Sequence, residues 1–146
     1  MPQSPSDPAE QRREATFPTL GPQQVHRLLQ CGRRRLTKVG EIVFDQGDPT
    51  PNFFIVLEGE LEIVQPGPGG AELPVVIHGP GQFTGEANML SGRPSLVRGR
   101  VREAGALLEI DRHGLRTLVQ LDSELGELIM RAFILRRVSL IAHGIG

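Results

Sequence analysis

Tryptophan and tyrosine are missing from this chain, aromatic residues make up 4% of it, and cysteine occurs once, at position 31. A single cysteine excludes an intrachain disulfide, a paired-cysteine redox motif and a cysteine-built zinc cage. Nothing beside Cys31 marks it as catalytic, so it reads as an inert thiol near a helix end. An excess of one charge is lacking as well: 16 Lys+Arg stand against 17 Asp+Glu, for a formal net charge of -1. There is then no global basic field to drive non-specific nucleic-acid binding. No apolar run reaches the roughly 18 residues of a membrane span. The opening MPQSPSDPAEQRRE also lacks the apolar segment of a secretory signal, so the expectation is a cytoplasmic protein without a membrane partner. His26, His78, His113 and His143 are scattered one per region. Metal sites draw on close sets of ligands, so neither a metal nor a metalloenzyme reaction is expected.

What the chain does hold is one domain's worth of short, punctuated segments. Its 146 residues suffice for a single core. Residues 1–18 are polar and carry three prolines before Ala9, and they are expected to form a disordered lead-in, with the domain over 19–146. LGPQQVHRLLQCG predicts a short flanking helix, begun at Pro22 and ended at Gly32 in a left-handed conformation. From about 34 to 111, the runs in GEIVFDQGDP, FFIVLEGELEIV (hinged at Gly59), ELPVVIHG, SLVRGRVRE and ALLEIDR give seven or eight strand-sized pieces. That spacing predicts a mainly β fold, an antiparallel double-stranded β-helix of jelly-roll type. Between about 112 and 143 the period turns helical, with one short helix and then one of about 20 residues, N-capped by Asp122. Leu125, Leu128, Ile129, Ala132, Phe133, Val138, Leu140 and Ile141 give it an apolar surface wider than one core-facing stripe. A second copy or another domain is expected to cover the remainder.

GEIVFDQGD, FFIVLEGELEIV and GQFTGEANMLSGRP, in this order, resemble the first strand and turn, the Gly-hinged strand pair and the phosphate-binding cassette of the cyclic nucleotide-binding domain. This is the domain of the catabolite activator and protein-kinase regulatory-subunit family, and the resemblance runs from about Leu20 to Leu140. More narrowly, FTGEANMLSGRPSLVRGRV with ELIMRAFILRR looks like the version found ahead of thioredoxin reductase-like flavoenzymes. The chain carries no dinucleotide fingerprint or second cysteine, so any redox chemistry of such a fusion would lie outside this sequence. The resemblance implies a non-catalytic domain binding cyclic AMP or cyclic GMP, without a cofactor. It also implies a short cassette helix, a homodimer formed through the long C-terminal helix, and an attached or associated flavoenzyme as a partner. A helix-turn-helix after the long helix would be needed for DNA binding, and none is read here, so no nucleic-acid partner is expected.

The same resemblance assigns the ligand-binding residues as Phe83, Gly85, Glu86, Ala87, Arg93, Pro94, Ser95 and Leu96. Glu86 would accept a hydrogen bond from the ribose 2'-hydroxyl, a role that suits an acceptor-only carboxylate. The alternative for Glu86 is a surface acid capping the short helix at Ala87. Backbone N–H groups around Gly85, Glu86 and Ala87 would meet the cyclic phosphate, with glycine allowing close approach. The family usually adds an arginine near the cassette's end, because guanidinium matches phosphate oxygens bidentately. Here Pro94 or Ser95 stands at that point. Arg93 either reaches the phosphate from the neighbouring position or is a solvated turn residue. Arg98 and Arg100 share a strand face, and are either both exposed or both at the pocket mouth. Phe83, Leu90 and Leu96 fit an apolar pocket wall, and the base would lie toward the helix between Leu125 and Leu135.

Overall fold

The computed structural model describes residues 7–49, 51–85 and 92–142. It opens on a helix, α1 (Pro8–Thr16), where a disordered lead-in was expected. Asp7 caps it by accepting from the Glu10 N–H at 2.8 Å, and Pro8 takes the first helical position. Its residues are polar all round, so what holds it is tertiary: α1 packs on the last helix of the chain, and Thr16 is buried. No local periodicity announces a helix of this kind.

The next helix, α2 (Pro22–Leu28), runs into a 3-10 turn at Leu29–Cys31, where a helix was expected. It is more than a flank, because Leu28 is fully buried in the main core. Gly32 ends the segment in extended backbone (φ -149°, ψ -168°) and not in a left-handed one. A Cβ there would stand 2.5 Å from the Glu109 carbonyl oxygen, so the glycine serves close approach to a strand.

Six strands follow among the described residues: β1 (Arg33–Leu36), β2 (Ile42–Phe44), β3 (Phe53–Pro66), β4 (Glu72–His78), β5 (Phe83–Thr84) and β6 (Arg98–Ile110), every pairing antiparallel. The count falls below the expected seven or eight because two pairs of pieces are each one long strand. Gly59 is a bulge within β3 at φ +86°, and the register with β6 slips there. A Cβ on Gly59 would strike the Glu103 carbonyl, and one on Gly105 the Glu58 carbonyl, so two glycines let the ladder bend without breaking. β5 and β4 pair with successive parts of β3, while β1 and β2 pair with opposite ends of β6. The result is the expected antiparallel roll with flanking helices.

The continuous apolar run Phe53-Phe54-Ile55-Val56 follows from burial on both faces. Phe53 and Ile55 join Leu108, Ile110 and helix residues in one cluster, whereas Phe54 and Val56 turn inside the roll to Phe44, Leu61, Ile63, Val101 and Leu107. The helices α3 (Arg112–Leu121) and α4 (Ser123–Ala142) close the first cluster with Leu115, Leu118, Leu125, Ile129 and Ala132. Asp111 and Asp122 cap them, accepting from the Gly114 N–H at 2.7 Å and the Leu125 N–H at 3.1 Å. Arg27 of α2 adds a hydrogen bond to Asp122 at 2.8 Å, tying α2 to the start of α4. The Leu125 N–H and then Arg27 hold the Asp122 carboxyl below its usual range. Away from the core, α4 presents Met130, Ile134 and Val138 at 37, 56 and 59% exposure, a ridge spaced by four residues.

Candidate ligand-binding site

The site is built where β5 leaves the roll. β5 is two residues long, paired through Phe83 to Ile55 and through Thr84 to Phe54. Gly85 follows at φ +100°, buried over the start of β3, where a Cβ would stand 2.5 Å from the Asn52 carbonyl oxygen and 3.1 Å from the Phe53 Cα. Only glycine fits this step. Glu86, Ala87 and Leu90, and with them the expected cassette helix, lie outside the described residues.

The segment returns at Gly92 (φ +71°), with Arg93, Pro94 and Leu96 exposed. Ser95 is buried, and its groups are spoken for locally. Its N–H donates to the Asp48 carbonyl at 3.0 Å, and its carbonyl accepts from the Gly47 N–H at 2.8 Å. The hydroxyl donates to the Val97 carbonyl at 2.8 Å. Ser95 thus fastens the segment's return to the turn between β2 and β3. Phe83 is fully buried in the main core, its ring centroid 5.4 Å from that of Phe53.

Arg98 and Arg100 are not both exposed, the first of the two alternatives read from the sequence. They share a face as expected, yet both are half-buried in a ladder of carboxylates. Arg98 donates to Asp45 at 2.9 Å and to Glu72 at 3.1 Å, and Arg100 donates to Glu62 at 2.6 Å and to Glu72 at 2.8 Å. Arg98 holds the Asp45 carboxyl below its usual range, and Arg100, with Arg98, does the same for Glu72. These guanidinium groups are already neutralised. Cys31 is partly buried, and burial, with Asp122 nearby, pushes its thiol above the ordinary value, which keeps it protonated.

Arg136, bonded to the Phe83 carbonyl of β5, and His78, which feels its charge, form a pair the sequence did not single out. His78 is buried, its ring centroid 6.1 Å from that of Phe17. Burial, with the Arg136 charge adding to it, drives its pKa down to about 3, against a smaller opposing hydrogen bond with Gln82. The native state therefore holds neutral His78 while the unfolded chain takes up a proton below about pH 6.5. As pH falls through that value the unfolded state gains protons the native state cannot match, so stability is lost down to about pH 3. At pH 5 the wild type is expected to lose stability more steeply than His78→Leu, by about 1.4 kcal/mol per pH unit in urea titrations. Equal slopes would show that His78 protonates in the folded protein. Nothing in the sequence signalled Arg136, one of three arginines in IMRAFILRRV and one residue past the part of the helix under suspicion.

An antiparallel roll, a glycine step at positive φ off a two-residue strand and a long closing helix define a mainly β fold with flanking helices. The family model described as cyclic nucleotide-binding domain matches residues 34–122, and the chain belongs to that family. It is 27% identical over 121 residues to a cyclic nucleotide-gated potassium channel of Mesorhizobium japonicum, covering 83% of this chain and 32% of the channel. It is 28% identical over 129 residues to the cyclic AMP receptor protein of Thermus thermophilus, covering 88% of this chain and 52% of the receptor. Among solved structures, the Thermus thermophilus catabolite activator protein superposes with a TM-score of 0.69 at 25% identity, covering 89% of this chain and 61% of that one. The chain thus spans about a third to a half of the curated relatives it matches. Among the described residues, no helix is long and apolar enough to cross a membrane.

Proposed function

We propose that this chain is a non-catalytic sensor that binds cyclic AMP or cyclic GMP at the segment 83–96 and signals through α4. The observation that carries the reading is Gly85, whose backbone is pressed onto Asn52 and Phe53 at the point where the cassette begins. In this reading the backbone N–H groups from Gly85 to Ala87 meet the cyclic phosphate, and Glu86 accepts from the ribose 2'-hydroxyl. Arg98 and Arg100 are held by Asp45, Glu62 and Glu72; Arg93, at the cassette's end, is the phosphate's guanidinium partner in this reading. Pro94, Ser95 and Leu96 shape the rim. The names of the receptor and the channel support a cyclic nucleotide as the ligand. A ligand that binds native protein only, at a hundred times its Kd, adds about 2.7 kcal/mol. For a domain of this size that is a rise on the order of 8 °C in Tm. A Tm unmoved by either nucleotide at millimolar concentration would refute the reading. It would leave the alternative, a ligand-free dimerisation or interaction module on the same fold, which the local engagement of the Ser95 hydroxyl favours.

The ridge Met130, Ile134, Val138 is the proposed seam for a second copy of the chain. A two-fold interface meets each substitution twice. Ile134→Lys is expected to weaken dimerisation at least about a hundredfold, as two apolar side chains are lost at about 1.5 kcal/mol or more each. Sedimentation equilibrium reads this directly, and an unchanged dimer constant would place the seam elsewhere. For the output, the resemblance of the cassette and of ELIMRAFILRR points to an attached or associated thioredoxin reductase-like flavoenzyme.

A further inference from the structure

The long helix sends one guanidinium back toward the roll. Arg136 Nε donates to the Thr16 carbonyl at 2.8 Å, and Nη1 donates to the Phe83 carbonyl at 2.9 Å. Its central carbon stands 5.1 Å from the Phe17 ring centroid and 4.8 Å from that of Phe83. Three segments far apart in sequence therefore meet at one side chain: the end of α1, the body of α4, and β5, whose Phe83 lies two residues ahead of Gly85. A planar guanidinium can hold two carbonyls at fixed angles while lying against aromatic rings, which a compact ammonium cannot do. Both acceptors are main-chain carbonyls, so the side chain reports backbone position and not a partner's rotamer.

We infer that Arg136 is a positioning residue that ties β5, and the cassette it leads into, to both α1 and α4. The inference rests on the proposed cyclic nucleotide site for its ligand. β5 is short and held by two residue pairs to β3, so a shift of the cassette backbone on binding moves the Phe83 carbonyl with little to absorb it. That carbonyl is bonded directly to Arg136, and Arg136 is bonded to the last residue of α1. α1 then follows the cassette although nothing else in its sequence marks it as part of a sensor. A ligand shifts such an arrangement only as far as it favours one position of these segments over another, and Arg136 is where that preference is passed on.

The test is hydrogen exchange on the full 146-residue wild type, Arg136→Met and Arg136→Lys, with and without saturating cyclic AMP and cyclic GMP. In the wild type, ligand is expected to slow exchange of the 8–16 amides about tenfold, or about 1.4 kcal/mol. Arg136→Met is expected to bind within about tenfold of wild-type affinity and to slow exchange around 83–95, with the 8–16 amides unresponsive. Arg136→Lys keeps the charge without the fork and should recover less than half of the response. The inference is overturned if the 8–16 amides of Arg136→Met respond as in the wild type, or if the wild type binds ligand with no response there. If the wild type binds neither nucleotide, the site reading fails, and the ligand-free proteins judge the tie alone. Exchange about tenfold faster at 8–16 in Arg136→Met, with 53–66 unchanged, upholds it, and equal exchange rejects it.

Discussion

Gly85→Ala is expected to remove about 3 kcal/mol of folding stability and to abolish measurable cyclic nucleotide binding. Two costs add. Holding an L side chain at the φ of +100° found there costs of order 1–3 kcal/mol. The new Cβ would also meet the Asn52 carbonyl oxygen at 2.5 Å, and overpacking of a fixed neighbour costs typically 1–3 kcal/mol. The carbonyl cannot retreat cheaply, because Phe53, the next residue, is fully buried and begins the strand that runs through the whole roll. Relief would have to come from moving the segment that leads into the cassette, which is why binding is expected to go with stability. Urea unfolding of the two proteins measures the first effect. A loss under about 1 kcal/mol would mean that this backbone step is soft, and the cassette's geometry would have to be fixed from elsewhere.

Phe83→Ala should cost about 3–5 kcal/mol, the range for emptying a buried aromatic site. Phe83 is fully buried, packs on Phe53, and provides one of the rings under Arg136. The sequence suggested a ligand contact for this residue, and its depth in the core offers a different use. If its ring serves the core alone, saturating cyclic nucleotide should stabilise wild type and Phe83→Ala by the same increment, within about 0.5 kcal/mol, as independent effects add. An increment that vanishes in the variant would restore Phe83 to the pocket wall.

Much of the fold was legible because it rests on local rules. The runs around Gly47 and Gly59 announced strands, Asp122 announced a helix start, and the apolar breadth after it announced a surface beyond the core. What could not be read depended on distant partners. α1 has no apolar stripe and is held by α4, and Leu28 is core because strands and helices close over it. Gly59 joins two strands and does not separate them, since Gly105 lies opposite, a coincidence spanning 46 positions. In the site, Gly85 was legible because its chemistry is its own. Arg98, Arg100 and Ser95 were not, because their roles are set by Asp45, Glu62 and Glu72 and by the Val97 and Asp48 backbone. Arg136 was missed for the same reason: its acceptors are carbonyls 120 and 53 residues away.

Calorimetric titration of the purified chain with cyclic AMP and cyclic GMP, beside Glu86→Ala and Arg93→Ala, tests the sensor reading most directly. A Kd in the micromolar range for at least one nucleotide is predicted, about −8 kcal/mol of binding free energy, weakened at least tenfold in each variant. A folded wild-type protein that gives no heat with either nucleotide, over a range of temperatures, would contradict it.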